Sequence, residues 1–278
     1  MPRDRSLYVP GSIDSHAHIS FLEHKGLDPW AVLRNAETGG LARIIDVGIT
    51  PSDLEERLRR YGHLAIVAFT AGLHPTSVTP AYAEPELATL EQTLVSARSS
   101  GAAGRIVAIG EVGLDFYRST EHVRLQIDAL ERQAAIAERH HLPLVIHNRS
   151  SEPEMLLTLR RIRPRGVMHC FSQDARYCGE CLDLGLFVSF GGNLTYRASD
   201  EIRSAAALVP DDRLLVETDA PYLSPQAVRG TPNHPGHLGF TIQSLAEIRH
   251  TTPGHVAAVT SQNACNLFGF SPHHAEKS

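Results

Sequence analysis

The sequence predicts a single (β/α)₈ barrel, the TIM-barrel fold, on three observations. The chain has 278 residues, close to the roughly 250 residues usual for one such barrel. Eight short β-rich runs alternate with helical stretches from end to end. No repeat, low-complexity tract or interdomain linker interrupts this alternation. We therefore expect residues 1–278 to form one domain.

The predicted strands are nearly continuous apolar runs, as expected for parallel strands covered by helices on their outer side. They are residues 12–18, 42–48, 64–71, 105–111, 143–147, 166–170, 185–190 and 213–218. An open, doubly wound sheet is the alternative, but it would usually need fewer strands. In a closed barrel the carboxyl ends of the strands meet at one mouth, where barrel enzymes carry their active sites.

The segments between the strands carry helix signals. Asp28 and Thr50 each precede a proline, the pattern of an N-cap followed by proline at the first helical position. A last helix is expected to reach about Leu267 and to stop at Gly269. The longest helix candidate is 120–140. Its predicted buried face carries apolar residues at steps of three or four, namely Val123, Ile127, Leu130, Ala134 and Ala137.

The composition favours a globular cytoplasmic protein. No apolar run approaches the roughly 20 residues that a membrane span needs, and the first residues lack the apolar stretch of a signal peptide. The four cysteines form only one CxxC pair, at 178–181, so reduced structural thiols are expected rather than a zinc ribbon. The net charge of −5 argues against a broad basic surface for nucleic acid, although bound metal ions would add positive charge where a phosphate must sit. A monomer without an obligate protein partner is expected.

Ligand-type residues fall at the ends of the predicted strands. His16 and His18 are alternate residues of the first strand, so both imidazoles should face the same side and enter the mouth together. The others at or just after strand ends are His74, Glu111, His147, His169 and Asp219. An uncompensated polar cluster in an apolar mouth would be costly, and a metal ion compensates it.

The number and type of these residues predict two metal ions. Imidazole and carboxylate ligands suit Zn²⁺, Mn²⁺, Fe²⁺ or Co²⁺ better than Ca²⁺. Two ions about 3.5–4 Å apart, bridged by Glu111, would use the whole set; Zn, Mg and Mn are the candidates. Several related barrels bridge their metals with a carboxylated lysine from the fourth strand. Here the only lysines, Lys25 and Lys277, are far from any central strand end, which excludes that variant.

The motifs at these positions resemble those of the TatD-type metal-dependent deoxyribonucleases over nearly the whole chain. They are DSHAH at 14–18, GLHP at 72–75, GEVGLDFY at 110–117, PLVIHNR at 143–149, HCFS at 169–172 and ETDAPYL at 217–223. Seven consecutive residues agreeing in the last motif are a specific signal, whereas HxH alone is weak.

The resemblance implies a role for each residue. One ion would be held by His16, His18, Glu111 and Asp219, and the other by Glu111, His147 and His169. His74 would be a substrate-side residue or a ligand to an additional ion, and Arg149 and Arg229 would bind the substrate phosphate. The family usually has Asn-Glu-Pro in the loop after the last strand, where this chain has Asn-His-Pro at 233–235. His234 is therefore expected to alter specificity or metal preference.

Strand alternation adds further candidates. If the eighth strand continues, Glu217 faces the same side as Asp219 and supports a ligand. If the fifth strand continues, Arg149 faces the same side as His147, which would put its guanidinium beside the metals. Asp115 and Tyr117, in the loop after the fourth strand, are candidates for lining the cleft.

The predicted reaction is hydrolysis of a phosphodiester bond in DNA, from a 3′ end of a single strand or of a duplex. Asp219, Glu111 and His74 are the predicted catalytic residues, with Asp219 orienting the attacking water and accepting its proton. Arg149 and Arg229 would neutralise the phosphate oxygens. One alternative is hydrolysis of a carbonyl bond, such as the ester of a D-aminoacyl-tRNA. The other is a binding module with a decayed site.

Overall fold

The computed structural model describes residues 5–99 and 103–270, in which eight strands alternate with helices; Lys277 and the first four residues lie outside this part. The strands are β1 Ile13–Ala17, β2 Arg43–Asp46, β3 Val67–Ala71, β4 Ile106–Asp115, β5 Leu144–Arg149, β6 Gly166–Met168, β7 Phe187–Phe190 and β8 Leu214–Val216. Each lies at a predicted run. The predicted ends of the fourth and fifth strands were wrong, because β4 and β5 remain paired as far as Asp115 and Arg149.

Each strand pairs in parallel with the next, in the order β1 to β8. Between β1 and β8 the described residues show a single bridge, from Ala17 to Ala220. The carboxylate of Asp14 adds to this seam, since it accepts hydrogen bonds from the backbone N (2.9 Å) and the hydroxyl (2.6 Å) of Thr218. The sheet is therefore a nearly closed barrel, as predicted, and not an open doubly wound sheet.

Helices cover the outside of the barrel. They are α1 Pro29–Thr38, α2 Leu54–Tyr61, α3 Ala83–Ser99, α4 Val123–His140, α5 Glu152–Ile162, α6 Ala175–Asp183, α7 Asp200–Leu208, α8 Leu238–Ile248 and α9 Pro253–Phe268. The N-cap of α1 is confirmed, because the Asp28 carboxylate accepts from Trp30 N at 2.9 Å. Gly269 ends α9 in the left-handed conformation, as expected. Thr50 begins a 3₁₀ turn instead of a helix, and α2 starts only at Leu54.

The predicted buried face of α4 was partly wrong. Val123 and Ile127 are half-buried, whereas Gln126 and Gln133 are buried. These glutamines are satisfied by backbone groups of the barrel. Gln133 accepts from Leu73 N at 2.7 Å and donates to Leu73 O at 3.2 Å, and Gln126 accepts from Asp115 N, at the end of β4, at 2.9 Å. A buried amide is tolerated when its hydrogen bonds are made, and a hydropathy pattern does not register this.

The base of the barrel is closed by an apolar cluster that joins several strands to α9. It contains Ile13, Ile45, Ala68, Val107, Val145, Val167, Leu215, Leu267 and Phe268. These strand residues precede the predicted ligands in the chain, so the ligands are presented at the opposite, carboxyl end. Among the described helices, none combines the length and the apolar character needed to cross a membrane. All four cysteines are free thiols.

Candidate metal centre

The predicted ligands meet at the barrel mouth, and the Glu111 carboxylate lies between two groups of them. Its Oε1 is 2.7 Å from His147 Nδ1 and 2.8 Å from His169 Nε2. Its Oε2 is 3.6 Å from the Nε2 atoms of both His16 and His18. A carboxylate that offers one oxygen to each of two imidazole groups has the arrangement of a bridging ligand.

Asp219 completes the group on the His16 and His18 side. Its Oδ1 is 3.7 Å from His16 Nε2 and 3.5 Å from His18 Nε2. The expected continuation of the eighth strand was wrong, because β8 ends at Val216 and Asp219 has a left-handed φ of 54°. The turn is held instead by the hydrogen bond from Asp219 N to His16 O, at 2.9 Å.

Irregular backbone in β4 directs Glu111 into the mouth. The register between β4 and β5 shifts between Ile109 and Val112, and such a bulge changes the direction of a side chain. Gly113 follows with a φ of 146°, and a Cβ at this position would lie 2.0 Å from His147 O. The glycine therefore allows the close approach of β4 to β5 that places Glu111 against His147.

Three histidines are oriented by acceptors on the ring nitrogen that faces away from Glu111. His18 Nδ1 donates to Val47 O (2.9 Å), since a carbonyl can only accept. His169 Nδ1 contacts Glu217 Oε1 (3.2 Å), and His147 Nε2 contacts Asp115 Oδ2 (3.3 Å). With the proton on this nitrogen, the neutral ring would offer the lone pair of its other nitrogen to a metal ion, which is the usual support of a metal-ligating histidine.

His74 has the opposite arrangement. Its Nδ1 accepts a hydrogen bond from the backbone N of Thr76 at 3.1 Å, so that nitrogen must carry a lone pair. In the neutral ring the proton then lies on Nε2, which is 3.3 Å from Glu111 Oε1. His74 therefore presents a donor to the centre, whereas the neutral rings of His18, His147 and His169 would present lone pairs to a metal ion.

The donor set fits divalent metal ions. His16 Nε2 and His18 Nε2 are only 3.2 Å apart and both face carboxylates, and His16 Nδ1 is buried without a hydrogen-bond partner. Lone pairs converging in this way repel unless cations, or protons in their place, lie among them. The ligand atoms form three compact groups, which are His16 with His18 and Glu111, His16 with His169 and Asp219, and His74 with Glu111 and His147.

Without metal the cluster holds protons. Burial disfavours a charged ring at His169, but the carboxylates of Glu111 and Glu217 outweigh it and raise the pKa of His169 well above its usual value. Burial also opposes ionisation of Glu111, yet the neighbouring His74 and His169 hold the pKa of Glu111 well below its usual value. A protonated His169 thus lies beside an ionised Glu111.

The two predicted substrate arginines lie outside this cluster. The Arg149 guanidinium stacks over the ring of Tyr117, with its carbon 3.8 Å from the ring centroid. Arg229 stacks over Tyr196 at 4.5 Å. Both arginines are exposed. The expectation that strand alternation would point Arg149 at the metals was therefore incomplete, because a neighbouring aromatic ring takes up its planar face.

His234 packs within the loop that follows β8. The ring is buried, its Nδ1 accepts from Gly236 N at 3.1 Å, and it packs on His237 with 3.8 Å between ring centroids. The preceding Asn233 donates to Thr218 O and Tyr222 O, both at 2.7 Å. His234 is thus part of a scaffold that holds the loop on either side of Asp219.

Sequence reasoning missed several supporting groups, namely Asp14, Val47 O, Thr76 and Gln133. Asp14 is buried next to the HxH pair and fastens the backbone on which Asp219 stands. Its position in the DSHAH motif was a signal for it. Val47 acts through its carbonyl and Thr76 through its backbone N as well as its hydroxyl, and the identity of the side chain gives no signal for the backbone contacts.

The comparisons with known proteins agree with this geometry. The profile described as TatD related DNase matches residues 13–269. The chain is 32% identical to the uncharacterized metal-dependent hydrolase YcfH of Escherichia coli K12, over 92% of this chain and 95% of the relative. It is 29% identical to the uncharacterized metal-dependent hydrolase YabD of Bacillus subtilis, over 92% and 98%. The crystal structure of YjjV, a TatD homologue from Escherichia coli K12, is similar with a TM-score of 0.84 and 28% identity, over 93% of this chain and 98% of that one. The chain therefore belongs to the TatD-related DNase family of metal-dependent hydrolases.

Proposed function

We propose that this protein hydrolyses phosphodiester bonds in DNA, from a 3′ end, with two divalent ions of Zn, Mg or Mn. The observation that carries the proposal is the Glu111 carboxylate, whose two oxygens face separate imidazole groups. The ligands in this proposal are His16, His18 and Asp219 on one side, His147 and His169 on the other, and Glu111 between them. Two such ions would acidify a water molecule and stabilise the leaving oxygen.

The chain's own residues would then position the reactants. Asp219 has a lightly exposed carboxylate at the edge of the cluster, so it can hold the attacking water and accept its proton. His74 Nε2–H faces the same space from the other side of Glu111 and can donate to a phosphate oxygen. This supports the substrate-side role for His74 over the role of an additional ligand, because a ring nitrogen that carries a proton has no lone pair for a metal.

DNA is proposed as the substrate for two reasons. The family is described as TatD related DNase, and the arginines at the mouth can bind the phosphates of a nucleic acid. Arg149 and Arg229 keep their guanidinium edges exposed while their faces are stacked, and such edges can donate two hydrogen bonds to a phosphate. The bound ions would offset the net charge of −5 at the point where the phosphate sits. We further propose that residues 1–278 act as one monomeric domain in the cytoplasm, where free thiols such as these four persist.

The test is cleavage of a single-stranded oligonucleotide labelled at its 5′ end, with Zn²⁺, Mg²⁺ or Mn²⁺ added to metal-stripped protein. Stepwise shortening from the 3′ end is the expected result, with Glu111→Ala as the inactive control. A D-aminoacyl-tRNA is assayed in parallel. Deacylation of the tRNA without any shortening of DNA would replace the phosphodiesterase proposal by the carbonyl-hydrolase alternative.

A further inference from the structure

An aromatic platform lies at the mouth beside the metal centre. Tyr117 has 66% of its surface exposed, although its neighbour Arg149 stacks on the ring at 3.8 Å. The guanidinium covers one face of the ring, and the rest of the Tyr117 side chain is exposed to solvent. An exposed aromatic ring with a cation over one face can stack a second planar group on its other face.

The platform is rigidly connected to the centre through Asp115. One oxygen of this carboxylate accepts from Tyr117 N at 3.1 Å, and the other contacts His147 Nε2 at 3.3 Å. Across the strands, Phe116 N donates to Arg149 O at 2.9 Å. Arg149 follows His147 by two residues in β5, a spacing of about 6.6 Å along a strand. The backbone that carries Arg149 is therefore about one nucleotide away from that of His147.

We propose that the Tyr117–Arg149 stack is a nucleobase-binding subsite, which takes the base of a nucleotide adjacent to the phosphate at the metal centre. The inference rests on the proposed function, because it assumes that the phosphate is part of a nucleic acid. A phosphate by itself gains nothing from an aromatic face. Every base has a π-face that can stack on tyrosine without regard to sequence, and arginine adds to such stacking. An unpaired base is required, since a base inside a duplex has no free face.

The Tyr196–Arg229 pair provides an internal comparison. It has the same composition, with the guanidinium carbon 4.5 Å from the ring, but Tyr196 is only partly exposed. The described structure shows no carboxylate that joins it to a predicted ligand as Asp115 joins Tyr117 to His147. We therefore assign base binding to Tyr117, and Arg229 keeps its proposed role of donating hydrogen bonds to a phosphate.

The experiment compares Tyr117→Leu and Tyr117→Phe on two substrates. One is a single-stranded oligonucleotide, and the other is the same strand with abasic residues at its last two 3′ positions. Tyr117→Leu should raise KM about 10-fold on the first substrate, the scale of one base stacked on an aromatic ring, with kcat and metal content unchanged. It should have no effect on the abasic strand, and Tyr117→Phe should behave like the wild type. Tyr82→Leu is the matched control, since Tyr82 is 63% exposed and precedes α3.

Equal losses on the two substrates would overturn the subsite, because they would show that Tyr117 acts through the structure of the centre. Unchanged KM on both would overturn it as well. If the wild type cleaves neither strand, the phosphodiesterase proposal fails separately. Binding of both strands, measured by fluorescence anisotropy, then still tests the subsite. A preference for the base-containing strand that disappears in Tyr117→Leu supports it, and equal binding of both strands by the wild type contradicts it.

Discussion

Glu217 Oε1 lies 3.2 Å from His169 Nδ1, although β8 has ended one residue earlier at Val216. A supporting role for Glu217 was expected on the condition that the eighth strand continues, but the contact is made by a residue that has already left the sheet. Glu217 is completely buried and has the role of holding a ligand in place, whereas Glu111 faces both ligand groups.

This difference predicts unequal losses from two carboxylate deletions. Glu111→Ala should abolish both metal binding and cleavage, because it removes the group shared by the two sides. Glu217→Ala should retain metal at high concentration and lose about 10–100-fold in metal affinity or activity, the usual cost of removing a group that orients a ligand. Metal titration with kcat/KM at saturating metal separates the two. Equal losses of metal affinity and of cleavage in the two folded variants would contradict this division of roles.

His74 should be dispensable for metal binding and important for turnover. Its Nε2 carries a proton because Thr76 N occupies Nδ1, so His74→Ala is expected to keep two ions per chain. Cleavage should fall by about 10²–10³-fold, the scale for removing one donor aimed at developing charge. Metal content by elemental analysis and kcat provide the two readouts. Loss of an ion in this variant would instead make His74 a ligand.

Metal affinity should increase with pH. In the metal-free protein the pKa of His169 is raised well above its usual value by Glu111 and Glu217, against the effect of burial. The ring therefore keeps its proton at neutral pH, and a metal ion must displace that proton to reach Nε2. Calorimetry in two buffers of different ionisation enthalpy should show proton release on binding, and affinity should decline as the pH falls. Affinity that does not change between pH 6 and 8 would refute this.

The convergence of the predicted ligands at one mouth could be foreseen because strand alternation and strand ends were visible in the sequence. His16, His18, His147 and His169 are placed correctly by these two features alone. Glu111 was expected at a strand end and instead lies inside β4, where a bulge redirects it. That bulge depends on the close approach of Gly113 to His147 O, a contact between strands that no local pattern encodes.

The outer parts of the site were less predictable for a related reason. Asp219 stands on a left-handed turn that is fixed by bonds to β1 and not by its own strand. The direction of the Arg149 side chain was predicted from its position in β5. Its guanidinium instead lies over the ring of Tyr117, which belongs to the loop after β4. In both cases the geometry arises from partners that are distant in the chain or outside regular structure.

The last prediction concerns Arg149, whose guanidinium stacks on Tyr117 with one face and keeps its edge exposed. Arg149→Lys keeps the positive charge but removes both the planar face over Tyr117 and the paired donors. We expect kcat/KM on the oligonucleotide to fall at least about 10-fold, or roughly 1.4 kcal/mol, while metal content stays unchanged because no predicted ligand is altered. Arg59→Lys is the matched control, since that side chain is 70% exposed on α2 and pairs with Glu56 on the same helix. The abasic strand divides the loss into its parts. A loss that persists on it belongs to the phosphate contact, and a loss that disappears belongs to stacking.

Full activity of Arg149→Lys on both strands would remove Arg149 from substrate binding. It would favour the carbonyl-hydrolase alternative, because a neutral substrate makes no use of a guanidinium.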